Sequence, residues 1–331
     1  MRGCAGGFHG SLWSRFEGHA PRVTIIGVVR RRFAQFAWIV LGFNLAVILW
    51  GALVRASRSG EGCGDHWPLC NGSVIPHAAQ IATIIEFVHR VTSGPVAWVL
   101  VAVMAVWAFR SFRGETVARA AMASLVLITI EALLGAGLVL FRYTGTNASA
   151  GRVAYLSAHL MNTLLMLGAI ALTAWWASGH GPPVRPGPHA KWLGGAIVAA
   201  LMIGATGAIA ALGDTLFPVT SLREGLTADF SGSSPLLLKL RVWHPAVAAM
   251  AGIYIAIVAA RLRTRFSSTV MVLLLAQMGA GIVNLYLLAP IWMQLVHLLL
   301  ADLLWIALVL FTAAALEDSP SRARAPQLVS R

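Results

Sequence analysis

Eight apolar runs of membrane-spanning length constrain this chain more than any other feature. They fall at about residues 33–55, 81–109, 118–141, 154–177, 190–212, 242–260, 268–289 and 291–314. About 20 apolar residues cross a bilayer as one helix, so each run is long enough for a span. The 331 residues are 58% hydrophobic and 11% charged, which leaves no soluble domain of useful size. The sequence therefore predicts an all-α integral membrane protein with eight transmembrane helices.

The basic residues indicate the orientation of these helices. Seventeen lie in the loops and tails of one side and seven on the other, while Arg90 lies inside a span. Because cytoplasmic loops are enriched in Lys and Arg, we predict a multi-pass protein of the inner (plasma) membrane with both termini cytoplasmic. The basic residues behind the net charge of +13 lie in the loops and tails, where they determine topology. We therefore expect the protein to contact membrane lipid and not nucleic acid.

The two ends are predicted to be a cytoplasmic arm, residues 1–32, and a cytoplasmic tail, residues 315–331. The arm has scattered arginines and no long apolar stretch before a small-residue cleavage site, so it does not resemble a secretory signal. An organelle-targeting arm is the alternative, and the true start of the chain is left open.

Short segments recur in the same order in the two parts of the chain. Leu-Gly-Ala-Gly-Leu-Val at 134–139 returns as Met-Gly-Ala-Gly-Ile-Val at 278–283, and Gly-Ala-Leu-Val at 51–54 resembles Gly-Ala-Ile-Ala at 207–210. Small residues let helices approach closely, and plain helix packing is the favoured explanation of the Gly-Ala-Gly segments.

The recurrence divides the chain into two similar four-helix bundles, residues 33–177 and 191–314, joined by a cytoplasmic linker, residues 178–190. An even number of spans in each bundle makes the repeats parallel. We therefore expect a pseudo-two-fold axis near the membrane normal.

Four histidines lie near the predicted outer ends of the even-numbered helices: His89, His159, His244 and His297. Ionisable residues at membrane depth usually face a cavity, a partner or a cofactor. One such histidine is more often a hydrogen-bonded structural residue. Four at matching depth favour two facing pairs of axial haem ligands. Zinc is disfavoured because no compact third and fourth ligand lies nearby, and a proton relay is left open.

The repeat aligns His89 with His244, which places Glu86 opposite Arg241. A carboxylate beside a bound substrate can act as an acid or base, whereas a guanidinium suits a haem propionate. This difference suggests a reactive site in the first bundle and an electron-transfer or structural haem in the second. The alternative for Glu86 is a salt bridge to Arg90, one helical turn later.

Cys63 and Cys70 lie in the first outer loop, on a side where disulfides form. A disulfide is the default expectation, with a structural role and a redox role weighed equally. Cys4 is alone on the predicted cytoplasmic side. Glu131 and Asp302 fall inside spans, and their roles are left unassigned.

The outer loop ending Trp-Pro-Leu-Cys-Asn-Gly (67–72), the Glu-Phe-Val-His-Arg stretch (86–90) and the three other helix-borne histidines together resemble the haem A synthase family. The resemblance covers about residues 33–314. It implies an eight-helix protein of two four-helix bundles that converts haem O to haem A by oxidising a ring methyl to a formyl group, with water as the oxygen source. One departure is Gly-Asp-His at 64–66, between the first cysteine and the Trp-Pro pair.

The resemblance also implies residue roles. His89 and His159 are expected to ligate or face the substrate haem, His244 and His297 to hold a haem b cofactor, and Glu86 to be catalytic. It implies the Cys63–Cys70 disulfide as well. Arg90 and Arg241 are the expected contacts to haem propionates.

The implied setting is cytochrome oxidase assembly, with a haem O synthase and an electron-transfer protein as partners; the electron acceptor and a homo-oligomer are left open. One rival is a di-haem b-type carrier that takes electrons from quinol. Another is a haem transporter or chaperone. A haem prenyltransferase is disfavoured because the cytoplasmic loops between spans offer only Glu115 as an acid.

Overall fold

The protein is described by a computed structural model that covers residues 20–77, 80–182 and 187–317, with the side chains of residues 20–26 outside the description. The predicted arm and tail therefore lie mostly outside the described residues, as does Cys4. The helices of the described part are α1 Ala20–Ala56, α2 Ile81–Val91, α3 Ala97–Ser111, α4 Thr116–Leu140, α5 Ala150–Ala177, α6 Ala190–Leu216, α7 Leu222–Phe230, α8 Leu236–Arg241, α9 Trp243–Leu262, α10 Ser267–Tyr286 and α11 Ile291–Glu317.

All eight predicted spans are confirmed as helices long and apolar enough to cross a membrane. The second span joins α2 to α3, and the sixth joins α8 to α9, while each of the others is one helix. Within the described ranges there is no strand, only an isolated bridge between Cys70 and Ser73. The fold class is therefore confirmed. The pseudo-two-fold axis and the division at residues 178–190 stay predictions.

The second span changes its helical pitch directly after His89. A π-helical turn, Thr92–Val96, contains Pro95, which has no backbone N–H to donate. The hydroxyl of Thr92 donates to the carbonyl of Val88 at 2.8 Å, and that of Ser93 donates to the carbonyl of His89 at 2.6 Å. These hydroxyls bond to carbonyls one turn earlier, and beyond the proline the span continues as α3.

The sixth span begins earlier than the predicted residue 242, at Leu236. Lys239 and Arg241 end the short helix α8, and their charges masked its apolar character in the sequence. The helix α7 before it was not predicted either, because its nine residues are not an apolar run. Its start is fixed by a capping pair, in which the Glu224 N–H donates to the Ser221 hydroxyl at 3.2 Å.

The most buried spans, α5 and α11, pack against each other in the middle of the molecule. Trp305 of α11 donates its indole N–H to the carbonyl of Leu164 in α5 at 2.5 Å. One apolar core cluster contains side chains of α1, α3, α4 and α5 together with Trp305, Val309 and Leu310 of α11. The first four spans and the last span therefore share a core.

Candidate functional site

Each of the four histidines lies against a glycine of the preceding span. The pairs are Gly51 with His89, Gly135 with His159, Gly207 with His244 and Gly281 with His297. A methyl group added at the glycine would lie 2.8, 3.9, 3.2 and 3.1 Å, respectively, from the ring carbon Cε1 of its histidine. Three of the four rings therefore occupy space that only glycine leaves open. Plain helix packing is an incomplete explanation of Gly281, whose missing side chain makes room for an imidazole.

The structure brings the histidines together in the predicted pairs. His89 and His159 lie within range of each other's charge, and so do His244 and His297. Each pair joins two even-numbered spans of the same bundle.

The second pair has neutral polar neighbours. The Nδ1 atom of His244 lies 3.1 Å from the hydroxyl of Thr206, which leaves Nε2 without that contact. The Nε2 atom of His297 lies 3.3 Å from the side-chain amide nitrogen of Gln277. Its Nδ1 atom is buried and has no hydrogen-bond partner among the described residues. In the described part of the chain each imidazole of this pair has a ring nitrogen without a hydrogen-bond partner, which suits two histidine ligands of a haem. Ligation through Nε2 of His297 requires the Gln277 amide to turn away.

The first pair has a carboxylate beside it. Oε1 of Glu131, in α4, lies 3.1 Å from Nδ1 of His159, which is an ion-pair distance without the alignment of a straight hydrogen bond. Asn162 and Thr163 of α5 donate to the two carboxylate oxygens. His89, in contrast, has a buried Nδ1 atom with no hydrogen-bond partner in the described part of the chain.

Glu86 is buried, with 3% of its surface exposed, and links helix α2 to the outer loop. Its Oε2 atom accepts a hydrogen bond from the backbone N–H of Cys63 at 2.8 Å, and its Oε1 atom pairs with Arg90 at 2.6 Å. The salt bridge that was the alternative interpretation of Glu86 is therefore present. The same carboxylate also holds the loop, which the sequence did not indicate.

Arg90 binds that loop as well. Its guanidinium donates to the carbonyls of Leu69 at 2.9 Å, Gly64 at 3.3 Å and His66. All of these acceptors belong to the segment that carries the two cysteines. A role for Arg90 as a propionate contact stays a prediction, and in this structure its guanidinium is paired with Glu86.

Cys63 and Cys70 form the expected disulfide, which closes a loop with a sequence separation of seven. Both residues are buried, with 0% and 1% of their surface exposed. The redox interpretation rested on an exposed bridge, and this bridge is covered. The N–H of Asn71 donates to the carbonyl of Cys63 at 2.9 Å, so the loop is also closed by a backbone hydrogen bond.

Arg241, the predicted counterpart of Glu86, is paired with two carboxylates. It donates to Asp229 of α7 at 2.6 Å and to Asp214 of α6 at 3.1 Å. A propionate contact by Arg241 likewise stays a prediction. Sequence reasoning missed both aspartates, and the one available signal was their place near helix ends on the side of the disulfide loop.

Arg55 was also missed as a site residue. At the end of α1 it donates to the carbonyl of Ala211 at 2.6 Å and the hydroxyl of Thr215 at 2.7 Å, both in α6. It also donates to the side chain of Gln294 in α11 at 3.0 Å. A single cation thus ties the first span to two spans of the predicted second bundle.

Asp302, in α11, is fully buried, and neither carboxylate oxygen has a hydrogen-bond partner within the described ranges. It lies five residues after His297, and no contact to that ring is present in the described structure.

The sequence profile of the cytochrome oxidase assembly protein family, COX15-CtaA, matches residues 34–309. A Thermus thermophilus protein named protoheme IX farnesyltransferase is 44% identical over 269 residues, which are 77% of this chain and 44% of that protein.

Two further relatives are named Heme A synthase. The protein from Alkalihalophilus pseudofirmus is 47% identical over 98 residues, 29% of this chain and 33% of that protein. The protein from Halalkalibacterium halodurans is 39% identical over 142 residues, 42% of this chain and 44% of that protein. The chain thus spans less than half the length of these relatives.

Proposed function

Because this chain belongs to the COX15-CtaA family of cytochrome oxidase assembly proteins, we propose that it is an oxidoreductase that converts the ring methyl of haem O to the formyl group of haem A. The observation that carries the proposal is the unequal surrounding of two histidine pairs, each ring seated against glycine. Glu131 lies beside His159, and the buried Glu86 lies one helical turn before His89, whereas in the described part of the chain the hydrogen-bonding neighbours of the second pair are the neutral Thr206 and Gln277.

In this proposal His89 and His159 face the substrate haem. With water as the oxygen source, oxidation of a methyl to a formyl group releases four electrons and four protons, in two hydroxylations followed by loss of water from the hydrate. Glu86 is the proposed acid–base group because it is the buried carboxylate one turn before His89. Its Oε2 atom accepts one hydrogen bond, from the Cys63 N–H, and keeps a second lone pair for a proton from the substrate, whereas Oε1 is paired with Arg90.

His244 and His297 would hold haem b, which supplies a one-electron carrier when bound. The contact of Thr206 with Nδ1 of His244 orients that ring and leaves Nε2 for the iron. The buried disulfide and the contacts of Arg90 with its loop hold that loop against α2, the helix that carries Glu86 and His89.

The proposed setting is the inner membrane, with both termini cytoplasmic, as the bias of 17 basic residues against seven supports. A haem O synthase would supply the substrate, and an electron-transfer partner would remove the electrons. Cysteine reporters in residues 110–119 should then label from the cytoplasm only, and the opposite pattern would reverse the orientation.

The name of the Thermus thermophilus relative points to a second function, transfer of a farnesyl group to protohaem. A prenyl diphosphate requires magnesium held by acidic clusters. Glu115, the acid in the cytoplasmic loops between spans, is paired with Arg30 at 3.0 Å. This chain spans 44% of that relative, which leaves the remainder of that protein to carry the prenyl transfer. We therefore favour oxidation for this chain.

The deciding experiment is expression with a source of haem O, followed by extraction and mass analysis of the haems. Haem A, with its formyl group, is the expected product. Haem O recovered unchanged would contradict the proposal. A single haem type at both sites would favour a di-haem electron carrier, and exchangeable haem without any aldehyde would favour a transporter or chaperone.

A further inference from the structure

Glu131 is the intramembrane carboxylate that the sequence left without a role. Its Oε1 atom lies 3.1 Å from Nδ1 of His159. The two side chains are 17% and 25% exposed, so the pair is mostly covered by protein. Within the described residues, His159 is the only basic side chain at ion-pair distance from Glu131.

The carboxylate is fixed in place by the helix that carries the histidine. Asn162 donates to Oε2 of Glu131 at 2.5 Å and to the carbonyl of Leu127, in α4, at 2.9 Å. Thr163 donates to Oε1 and also lies 2.9 Å from the carbonyl of His159. These donors leave the carboxylate little freedom to turn, so it stays at ion-pair distance from Nδ1 of His159.

We propose that Glu131 is a positioning residue for His159, one that holds the Nδ1–H side of the imidazole so that Nε2 is presented to the iron of the substrate haem. A carboxylate behind a ligating histidine fixes the tautomer and ring orientation and raises the basicity of the ligand. The inference rests on the proposed function in one respect, that His159 faces a haem.

The other three histidines provide the contrast. His244 and His297 have a hydroxyl and an amide as neighbours, and the buried Nδ1 of His89 has no partner in the described structure. In the register of the Gly-Ala-Gly repeat, Glu131 corresponds to Leu275. The carboxylate therefore belongs to one histidine of the first pair, and it makes His159 the more strongly donating ligand of that pair. Such a ligand stabilises the oxidised state of the iron.

The test compares Glu131→Gln with the wild-type protein, both purified after loading with haem O. Glutamine keeps the size and an acceptor oxygen but removes the charge. We expect the midpoint potential of the first-bundle haem to shift to a more positive value, and haem O to be retained roughly 10- to 100-fold less tightly. The haem b spectrum should stay unchanged. Thr206→Val is the matched control, because it removes the neighbour of His244 and should alter haem b alone.

Unchanged potential and retention in folded Glu131→Gln would overturn the inference. If that variant does not fold, Thr163→Val releases one carboxylate oxygen and should give a smaller shift in the same direction. The absence of a shift there would overturn the inference as well. A wild-type protein that makes no haem A while Glu131→Gln still moves the haem potential would refute the proposed function and keep this inference. Haem A production by the wild-type protein, with no shift of the haem potential in Glu131→Gln, would support the proposed function and overturn this inference.

Discussion

The two predicted bundles present their histidines alike and surround them differently. In both bundles an imidazole ring fills the space left by a glycine of the preceding span, as at Gly51 and Gly207. In the first predicted bundle Glu86, one helical turn before His89, holds the disulfide loop, and Glu131 lies at ion-pair distance from His159. At the position that corresponds to Glu86, the second bundle carries Arg241, whose charge is balanced by two aspartates.

The residues that make room for an imidazole ring are therefore different from the residues that could take part in chemistry beside it. Room for the ring requires a glycine at the depth of the histidine in the preceding span, and such a glycine is present at Gly51 and again at Gly207. A carboxylate at ion-pair distance from a histidine is present only in the first pair among the described residues, and this is where we propose that the substrate is oxidised.

Replacing Glu86 with Ala should reduce haem A formation by about 100- to 10,000-fold, the usual contribution of an acid–base group. The haem b of the second bundle should remain. Haem A per folded, haem-loaded molecule is the quantity to measure, because loss of the Arg90 pair alone would lower stability without lowering this ratio. Glu86→Gln is the matched variant, since it keeps an acceptor for the Cys63 N–H. Near-wild-type yield from both variants would remove Glu86 from the catalytic assignment.

Replacing His244 or His297 with Ala should abolish the low-spin haem b signal of the purified protein. The reason is that an axial pair loses its coordination when one imidazole is removed. The corresponding change at His89 is the control, and it should leave that signal in place. An unaltered spectrum in both variants would exclude His244 and His297 as haem ligands. The proposed difference between the two histidine pairs would then be wrong.

Gly51→Ala should push the His89 ring out of its position, and Gly207→Ala should do the same to the His244 ring. We expect the larger displacement at His89. The added methyl would lie 2.8 Å from the His89 ring and 3.2 Å from the His244 ring. We expect Gly51→Ala to weaken haem O binding and Gly207→Ala to perturb haem b, both visible in the absorption spectrum. Gly42→Ala, in the same helix as Gly51, has nothing within 4 Å of the added methyl. It should be neutral or stabilise the protein by up to about 1 kcal/mol. Equal spectra for all three variants would show that an added methyl at Gly51 or Gly207 does not displace the histidine ring.

Changing Cys63 and Cys70 together to Ser should lower the free energy of unfolding by roughly 2–3 kcal/mol, because the bridge closes a short loop. Haem b should be retained, since the loop contacts α2 and not the second histidine pair. Thermal unfolding with and without reductant measures the effect. A variant as stable as the wild type would mean that Glu86 and Arg90 hold the loop without the bridge.

The sequence predicted the eight spans because length and apolar character alone decide whether a helix can cross a bilayer. It predicted the paired histidines because the repeat carries them in the same order. It missed α7, the early start at Leu236 and the π-helical turn around Pro95, since each depends on local hydrogen bonds or on charges within a short helix.

The polar surroundings of the site were predicted only where they are local in sequence. The Glu86–Arg90 bridge was weighed because the two residues are one turn apart. The contacts of Arg241 with Asp214 and of His159 with Glu131 join separate helices. Nothing in one sequence fixes how those helices are rotated against each other, so these contacts needed the structure.

Arg55 has a consequence for the independence of the two predicted halves of the chain. In the register of the repeat, Gly51 corresponds to Gly207, so Arg55 corresponds to Ala211. The guanidinium of Arg55 donates to the carbonyl of that same residue at 2.6 Å. The predicted pseudo-two-fold axis would pass close to such a contact between counterparts. Arginine at both positions would bring two guanidinium groups together there, and like charges repel strongly away from water. One arginine opposite one alanine gives a single cation shared by the two predicted halves, so neither half would keep this contact if it were expressed alone.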